Sequence, residues 1–421
     1  MIDPLKKTAS GLWEKSIFII LFFYYSGAFL QQFQAKAGII SDPSRPDPLA
    51  AAVAVPVYLL TLFLVSKRAG DIFSLLRKEK FMAVLLALTI ISALWSDFPL
   101  LTLRRSAGLV CLTLFGVYVA VNYGEKERLK LFAVALGLSA IASFIFIKLL
   151  PSYGIDNGAK DISYAGAWKG IFVHKNAFGR VMAVGLIVFI LLQVKGFKNQ
   201  IIKWFFVIFT LFLLVFSRSA TAILADAVLV FLVPVFKSMR AHKHIRIFTY
   251  CLYISAAIVV VMWLSADGLR PVLHAMGRDE TFTGRTYIWE VVLDNIKKRP
   301  LFGYGYQAFW AANEGNIMPF YYHSTIPHSH NGFLDIWIDL GLTGLIIYIA
   351  GFLQAIRNSI TGLRSTSETY AFWPIVFLAF IFMSSLTESP LLHQLNIQWL
   401  FYASVAVSPY INSNAQSPER L

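Results

Sequence analysis

Along this chain the polar positions gather into short breaks between long apolar runs. A helix that crosses a bilayer needs about 20 apolar residues, because the hydrocarbon core is about 30 Å thick. Twelve runs meet that requirement, near 16–35, 49–66, 81–96, 106–123, 131–150, 177–194, 201–217, 219–236, 247–265, 331–356, 370–387 and 395–412. Only Ser217-Arg218 parts the seventh from the eighth. The pattern predicts an all-α polytopic membrane protein of about 12 transmembrane helices. Residues 1–421 then form one integral membrane domain, with a long polar loop over 266–330 that contains short helices.

Charge orients these spans. Lys67, Arg68, Arg77, Lys78 and Lys80 fall in one break, and Lys126, Arg128 and Lys130 in another two spans on. Lys195, Lys198 and Lys203 follow, then Lys237, Arg240, Lys243 and Arg246, then Arg357 and Arg364. With twelve spans all these breaks share one side, which the positive-inside rule makes cytoplasmic, and both termini lie there too. The 266–330 loop carries six Lys/Arg against six Asp/Glu and faces the other side. The net charge of +14 therefore does not imply nucleic acid, since the cations sit in short loops at a membrane surface. A composition of 57% hydrophobic and 14% charged residues excludes an ordinary soluble enzyme. Cys111 and Cys251 fall in apolar runs near opposite faces, so no disulfide is expected. Lys6, Lys7 and Lys15 precede the first run without a small-x-small site after it, which predicts an uncleaved first span.

Candidate chemistry collects on the side of the long loop. Arg218 sits in the tightest hairpin, with no carboxylate beside it and against the positive-inside trend. The plain alternative is an Arg that snorkels to the lipid surface. Arg285 opens a short amphipathic helix whose Trp289, Val292, Leu293 and Ile296 form one apolar face, and Lys297, Lys298, Arg299 and Pro300 end it. A cation in the first turn opposes the helix dipole unless an anion binds there; pairing with Glu290 or Asp294 is the alternative. His328-Ser329-His330-Asn331 stands at the mouth of the tenth run. There Asn331 suits a helix N-cap and His330 suits proton transfer near neutral pH. The H-x-H pair lacks a spaced third ligand, so no metal and no cofactor is expected. Asp335 and Asp339 lie one helical turn apart beyond it, read as acceptors for neighbouring spans or, for Asp335, as a group that orients a catalytic residue. His174-Lys175-Asn176 and Trp95-Ser96-Asp97 with Arg104-Arg105 complete the set, and Lys175, Asn176, Arg105 and His328 count with the substrate-binding candidates. Gly303-Tyr304-Gly305-Tyr306-Gln307-Ala308 follows Arg-Pro rather than a strand, so it reads as a turn and not as a dinucleotide fingerprint.

These motifs, in this order, resemble the O-antigen ligase and O-antigen polymerase superfamily of bacterial membrane proteins. The resemblance covers about residues 80–410. It rests on the Arg early in the long loop, the Pro300-Leu301-Phe302-Gly303-Tyr304-Gly305 turn, His330-Asn331-Gly332-Phe333-Leu334, and Gly341-Leu342-Thr343-Gly344-Leu345. Leu94-Trp95-Ser96 and the Trp168 to Asn176 segment look most like the exopolysaccharide polymerase branch. The resemblance implies a GT-C-like fold in the bacterial inner membrane, with the site facing the periplasm. It implies a metal-independent inverting glycosyltransferase that polymerises undecaprenyl-pyrophosphate-linked repeat units, with Arg218 and Arg285 on the pyrophosphate and His330 as general base. A ligase that moves the glycan to a lipid A core shares this chemistry. A flippase for lipid-linked sugars is the rival from another class, though internal repeats and broken midplane helices are not evident. The expected partners are the lipid-linked donor and acceptor, the bilayer, and a chain-length regulator or export complex.

Overall fold

In the computed structural model the described residues are 11–29, 48–158, 164–250, 252, 285–312, 328–364 and 368–415. Helices follow the apolar runs. They are α1 (Leu12–Tyr25), α2 (Pro48–Ser66), α3 (Ala69–Lys78), α4 (Lys80–Ile91), α5 (Pro99–Asn122), α6 (Glu125–Leu149), α7 (Lys175–Leu191), α8 (Phe197–Phe216), α9 (Ala220–Phe231), α10 (Arg285–Lys298), α11 (Gly332–Arg364), α12 (Trp373–Ser385) and α13 (Ile397–Ala415). Eleven of the twelve runs carry one of these helices, and the ninth lies almost wholly outside the described residues. Among the described residues five helices, α2, α5, α6, α8 and α11, are long and apolar enough to cross a membrane.

One break differs from its reading as a loop. The cationic segment after α2 is itself helix α3, which buries Ile72 and Leu75. Apolar residues three apart among charges make a short amphipathic helix, a period that a search for long apolar runs passes over. Asp71 in its first turn and Arg77 and Lys78 in its last complement the helix dipole.

Packing in lipid gains little from the hydrophobic effect between spans, so close fit and buried hydrogen bonds must hold them together. Phe18 of α1, Phe115 of α5, Phe132 of α6 and Phe401 of α13 form one aromatic cluster, with Phe132 and Phe401 centroids 4.3 Å apart. Such pairs contribute about 0.5–1.5 kcal/mol each beyond their buried area. Trp399 of α13 donates its indole N–H to Thr113 of α5 at 2.8 Å, and Tyr25 of α1 meets Thr61 of α2 at 2.9 Å.

Helix α11 is broken at Gly341, whose φ of 69° and ψ of −175° suit only glycine. A Cβ there would lie 2.1 Å from the Leu301 carbonyl oxygen. The break frees backbone groups, and the Gly303-Tyr304-Gly305 turn takes them up. Tyr304 N donates to Ile338 O at 3.0 Å and Gly305 N to Asp339 O at 2.9 Å, while Leu342 N donates to Pro300 O at 2.8 Å. Irregular backbone at membrane depth survives only when protein satisfies it in this way. The segment read as a turn is thus a plug seated in the kink. It fixes α10 against the head of α11.

Candidate active site

Helix α7 begins at His174, whose Nδ1 accepts the Asn176 backbone N–H at 3.2 Å as a side-chain cap. Asn176 and Arg180 stand four residues apart and so share a helix face. Both reach one carboxylate, which belongs to Glu388 in the loop after α12. Asn176 Nδ2 donates to Oε1 at 2.7 Å and Arg180 donates to Oε2 at 2.9 Å. Arg285, the first residue of α10, donates to the same Oε1 at 3.2 Å and to the Thr387 carbonyl. His330 Nδ1 lies 3.8 Å from Oε2, and Gly332 N donates to the Glu388 carbonyl at 3.0 Å. One buried acid thus ties together α7, α10, the mouth of α11 and the loop that carries it. Burial opposes its ionisation, but His330, Arg180 and Arg285 together hold the carboxyl well below its usual range.

The histidines divide by tautomer. His328 Nδ1 accepts the His330 backbone N–H at 3.3 Å, and His393 Nδ1 accepts the Leu395 N–H at 3.3 Å, as His174 does with Asn176. A nitrogen that accepts cannot carry the proton, so each neutral ring keeps its hydrogen on Nε2 and presents a donor. Burial pushes His174 and His393 down to about 4 and lowers His328 well below its ordinary value. His330 is arranged differently. Its Nδ1 is buried, without a hydrogen-bond partner among the described residues, and faces the Glu388 carboxylate. That favours N–H on Nδ1 and leaves Nε2 with a free lone pair, the tautomer a general base requires.

The surrounding loop holds His330 in place. The residue has a φ of 57°, a left-handed conformation that a side chain adopts at a cost of order 1–3 kcal/mol. Ser329 beside it donates its backbone N–H to Asp335 at 2.9 Å, and its carbonyl accepts the Trp289 indole N–H at 2.9 Å. Asp335 also accepts from the Trp310 indole at 3.2 Å. Its hydrogen bonds come from loop and short helix rather than from neighbouring spans, so Asp335 orients the histidine turn. Asn331 caps α11 as expected, its Oδ1 accepting from Phe333 N at 3.0 Å and Leu334 N at 3.2 Å.

The sequence-derived candidates divide into those at the carboxylate and those beyond it. Arg285, Asn176, His328 and His330 meet around Glu388. Arg285 pairs with neither Glu290 nor Asp294, because it is 7% exposed and turned inward. The buried face of α10 is Ile288, Val292 and Ile296, while Leu293 is 41% exposed, so the helix is rotated by about one residue from the expected stripe. Lys175 places its ammonium over the Tyr164 ring at 4.0 Å. Arg218 is exposed, has a φ of 50°, and donates to the Ala165 carbonyl at 2.9 Å. Its hairpin packs on α7 at Gly179, where a Cβ would lie 2.6 Å from Ser219 Cβ. Arg105 donates to the Gln307 carbonyl, in the plug rather than at Glu388. Among the described residues no three His, Cys, Asp or Glu side chains could hold a metal ion.

Glu388, Arg180 and His393 were not singled out from sequence. Glu388 is the only acid between Glu368 and Glu419, set in an apolar stretch, and Arg180 lies inside an apolar run. An ionisable residue inside a membrane run signals function, and that rule applied evenly would have found Arg180, while Glu388 stands one residue beyond its run as a lone acid between two apolar stretches.

Residues 204–349 match a family model described as O-antigen ligase. That stretch contains Arg218, Arg285, His328 and His330, whereas Arg180 and Glu388 lie outside it. The chain is 29% identical over 293 residues to the exopolysaccharide production protein ExoQ of Rhizobium meliloti (strain 1021), a match that covers 65% of this chain and 64% of that protein. This integral-membrane bundle is thus similar to the O-antigen ligase family over the stretch that holds Arg285 and His330, and along most of its length to an exopolysaccharide production protein, which supports the O-antigen ligase and polymerase superfamily.

Proposed function

We propose that this protein is an inverting glycosyltransferase that polymerises undecaprenyl-pyrophosphate-linked repeat units into an exopolysaccharide, without a metal ion, at the non-cytoplasmic face of the bacterial inner membrane. The observation that carries the reading is the single carboxylate of Glu388 shared by two guanidiniums and faced by His330. Two cations, Arg180 and Arg285, against one anion leave the centre with a net charge of +1 while its histidines are neutral. A pyrophosphate is attracted there, and Arg gives it bidentate hydrogen bonds at a charge that does not titrate. Arg218 and Lys175 add cations from the neighbouring hairpin and helix start.

His330 Nε2 takes the proton of an acceptor sugar hydroxyl. The freed oxygen attacks the anomeric carbon of the donor from the face opposite the pyrophosphate. The bond from that carbon to the pyrophosphate oxygen breaks, its electron pair leaves with the undecaprenyl pyrophosphate, and configuration inverts. Glu388 holds the neutral ring in the right tautomer and, across 3.8 Å, stabilises the imidazolium that forms. Arg180 and Arg285 stabilise the departing anion where charge develops.

The test is in vitro extension of lipid-linked repeat units by purified protein. General base catalysis contributes about 10²–10⁴-fold, so His330→Ala is expected to lower turnover by about that much while donor still binds. His328→Ala is expected to fall less, because its ring donates from Nε2. A His330→Ala protein that extends the glycan at the wild-type rate would sink the mechanism.

A further inference from the structure

Beyond Glu388 the loop continues into a second constrained turn. Leu392 has a φ of 48°, and its carbonyl accepts from the Tyr306 hydroxyl and from Gln307 Nε2 at 3.3 Å. Gln307 itself has a φ of 53°, and its carbonyl accepts from Arg105. Two side-chain-bearing residues are thus held left-handed against each other, an arrangement that persists only where the surroundings over-determine it. What the turn positions is His393 and Gln394, both partly exposed. His393 has its Nδ1 committed to Leu395 N, so its Nε2–H is a donor. Gln394 reaches α5 and α2, where a Cβ on Gly108 would lie 2.8 Å from Gln394 Oε1 and 2.6 Å from the Tyr58 hydroxyl. Gln394 Oε1 is buried with no hydrogen-bond partner among the described residues. Tyr24 packs edge-on against Tyr58 with centroids 6.2 Å apart.

We propose that His393, Gln394 and Tyr58 form the subsite for the terminal saccharide of the acceptor, with Arg105 holding the turn that places them. The proposal rests on the glycosyltransferase reading and adds where the second substrate sits. A sugar ring offers hydroxyls that both donate and accept, together with an apolar C–H face. The subsite offers a donor at His393, a bare acceptor at Gln394 and two aromatic rings. A phosphate would meet the unpaired Gln394 oxygen unfavourably, so a saccharide fits and an anion does not. The location is also right. His328 lies close enough to His393 to feel its charge, and the His328 ring packs on His330 with centroids 4.3 Å apart. The subsite therefore adjoins the base, while the guanidiniums of the donor site lie on its Glu388 side.

The probe is the repeat-unit oligosaccharide released by mild acid from lipid carrier isolated from host cells that lack the gene. Its binding to purified full-length protein is read by saturation-transfer NMR, alongside extension of the lipid-linked unit. Loss of one hydrogen bond of about 1.4 kcal/mol corresponds to about tenfold, so His393→Ala and Gln394→Ala are each expected to weaken oligosaccharide binding about tenfold. His393→Gln keeps an N–H at similar reach and is expected to restore it, which a merely structural role would not produce. Arg285→Lys is expected to bind the oligosaccharide as the wild type does. Equal binding by wild type, His393→Ala and Gln394→Ala, with extension intact, overturns this assignment alone. A wild-type protein that neither binds the oligosaccharide nor extends the lipid-linked unit overturns the glycosyltransferase reading as well.

Discussion

His328 and His330 are two residues apart on one turn, yet their rings are set up for opposite work. The difference lies in what each Nδ1 faces: a backbone N–H for His328 and a carboxylate for His330. Glu388 is therefore the residue on which the site depends most. Glu388→Gln keeps shape but leaves Arg180 and Arg285 without their counter-charge, and it removes the acid that sets the His330 tautomer. Breaking a buried ion pair by removing one partner costs about 3–5 kcal/mol. We expect lower thermal stability in detergent and a turnover loss of at least about 10²-fold, with Glu388→Asp intermediate in both. Wild-type turnover in a stably folded Glu388→Gln protein would show that His330 does not need the acid. The sequence left the choice between pairing with Glu290 or Asp294 and a free anion site at Arg285 open. Its true partner is 103 positions away, a relation that no local pattern encodes.

At the scale of elements, the decisive feature is the plug of residues 300–308 in the break of α11. The Gly-x-Gly turn and the Gly341 motif were both visible in sequence, but as separate signals. The structure shows them to be two halves of one joint, because the hydrogen bonds that the broken helix gives up are made by the turn. Gly341→Ala puts a side chain in a conformation that costs of order 1–3 kcal/mol, with a Cβ 2.1 Å from the Leu301 carbonyl oxygen. We expect this variant to lose thermal stability and activity together, since α10 and Arg285 would shift. Gly362 of the same helix has nothing within 4 Å of its ideal Cβ. Gly362→Ala is expected to be neutral or to stabilise by up to about 1 kcal/mol through helix propensity. Equal melting temperatures for the two variants would remove the joint from the account. Helix α10 was legible in its extent. Its buried stripe was misjudged because Trp289 points its indole at Ser329 rather than into an apolar face.

For the whole molecule, the half-buried histidines couple folding to pH. His174 and His393 are lowered to about 4 by burial first, and His328 also lies below its ordinary value. In an unfolded chain they titrate near about 6.5. Between those values the unfolded state holds more protons, so stability rises with pH and is lost as pH falls from about 6.5 towards 4. Glu388, with its carboxyl lowered, adds a loss of the same sign further down. We expect the melting temperature in detergent to be flat above about pH 7 and to fall below about pH 6.5. His174→Asn together with His393→Asn should flatten that fall, since Asn can also accept the backbone N–H two residues on. A melting temperature independent of pH from 7 to 4 would contradict the half-buried neutral state.

What the sequence determined by itself is whatever depends on neighbours along the chain. Apolar runs of bilayer length, the cap at Asn331, the start of α10 at Arg285 and the order of motifs follow from local composition and spacing, because helices satisfy their own backbones in lipid. Arg285, His328 and His330 were legible for the same reason, as polar groups out of place. What only the tertiary structure decided is which groups share a partner. Glu388 gathers α7, α10 and the mouth of α11 because a buried carboxylate must find its cations wherever the packing brings them. The tautomers of His174, His328 and His393 follow from single hydrogen bonds and that of His330 from the carboxylate it faces, and the geometry of all four is set by turns that exist only once the helices have packed.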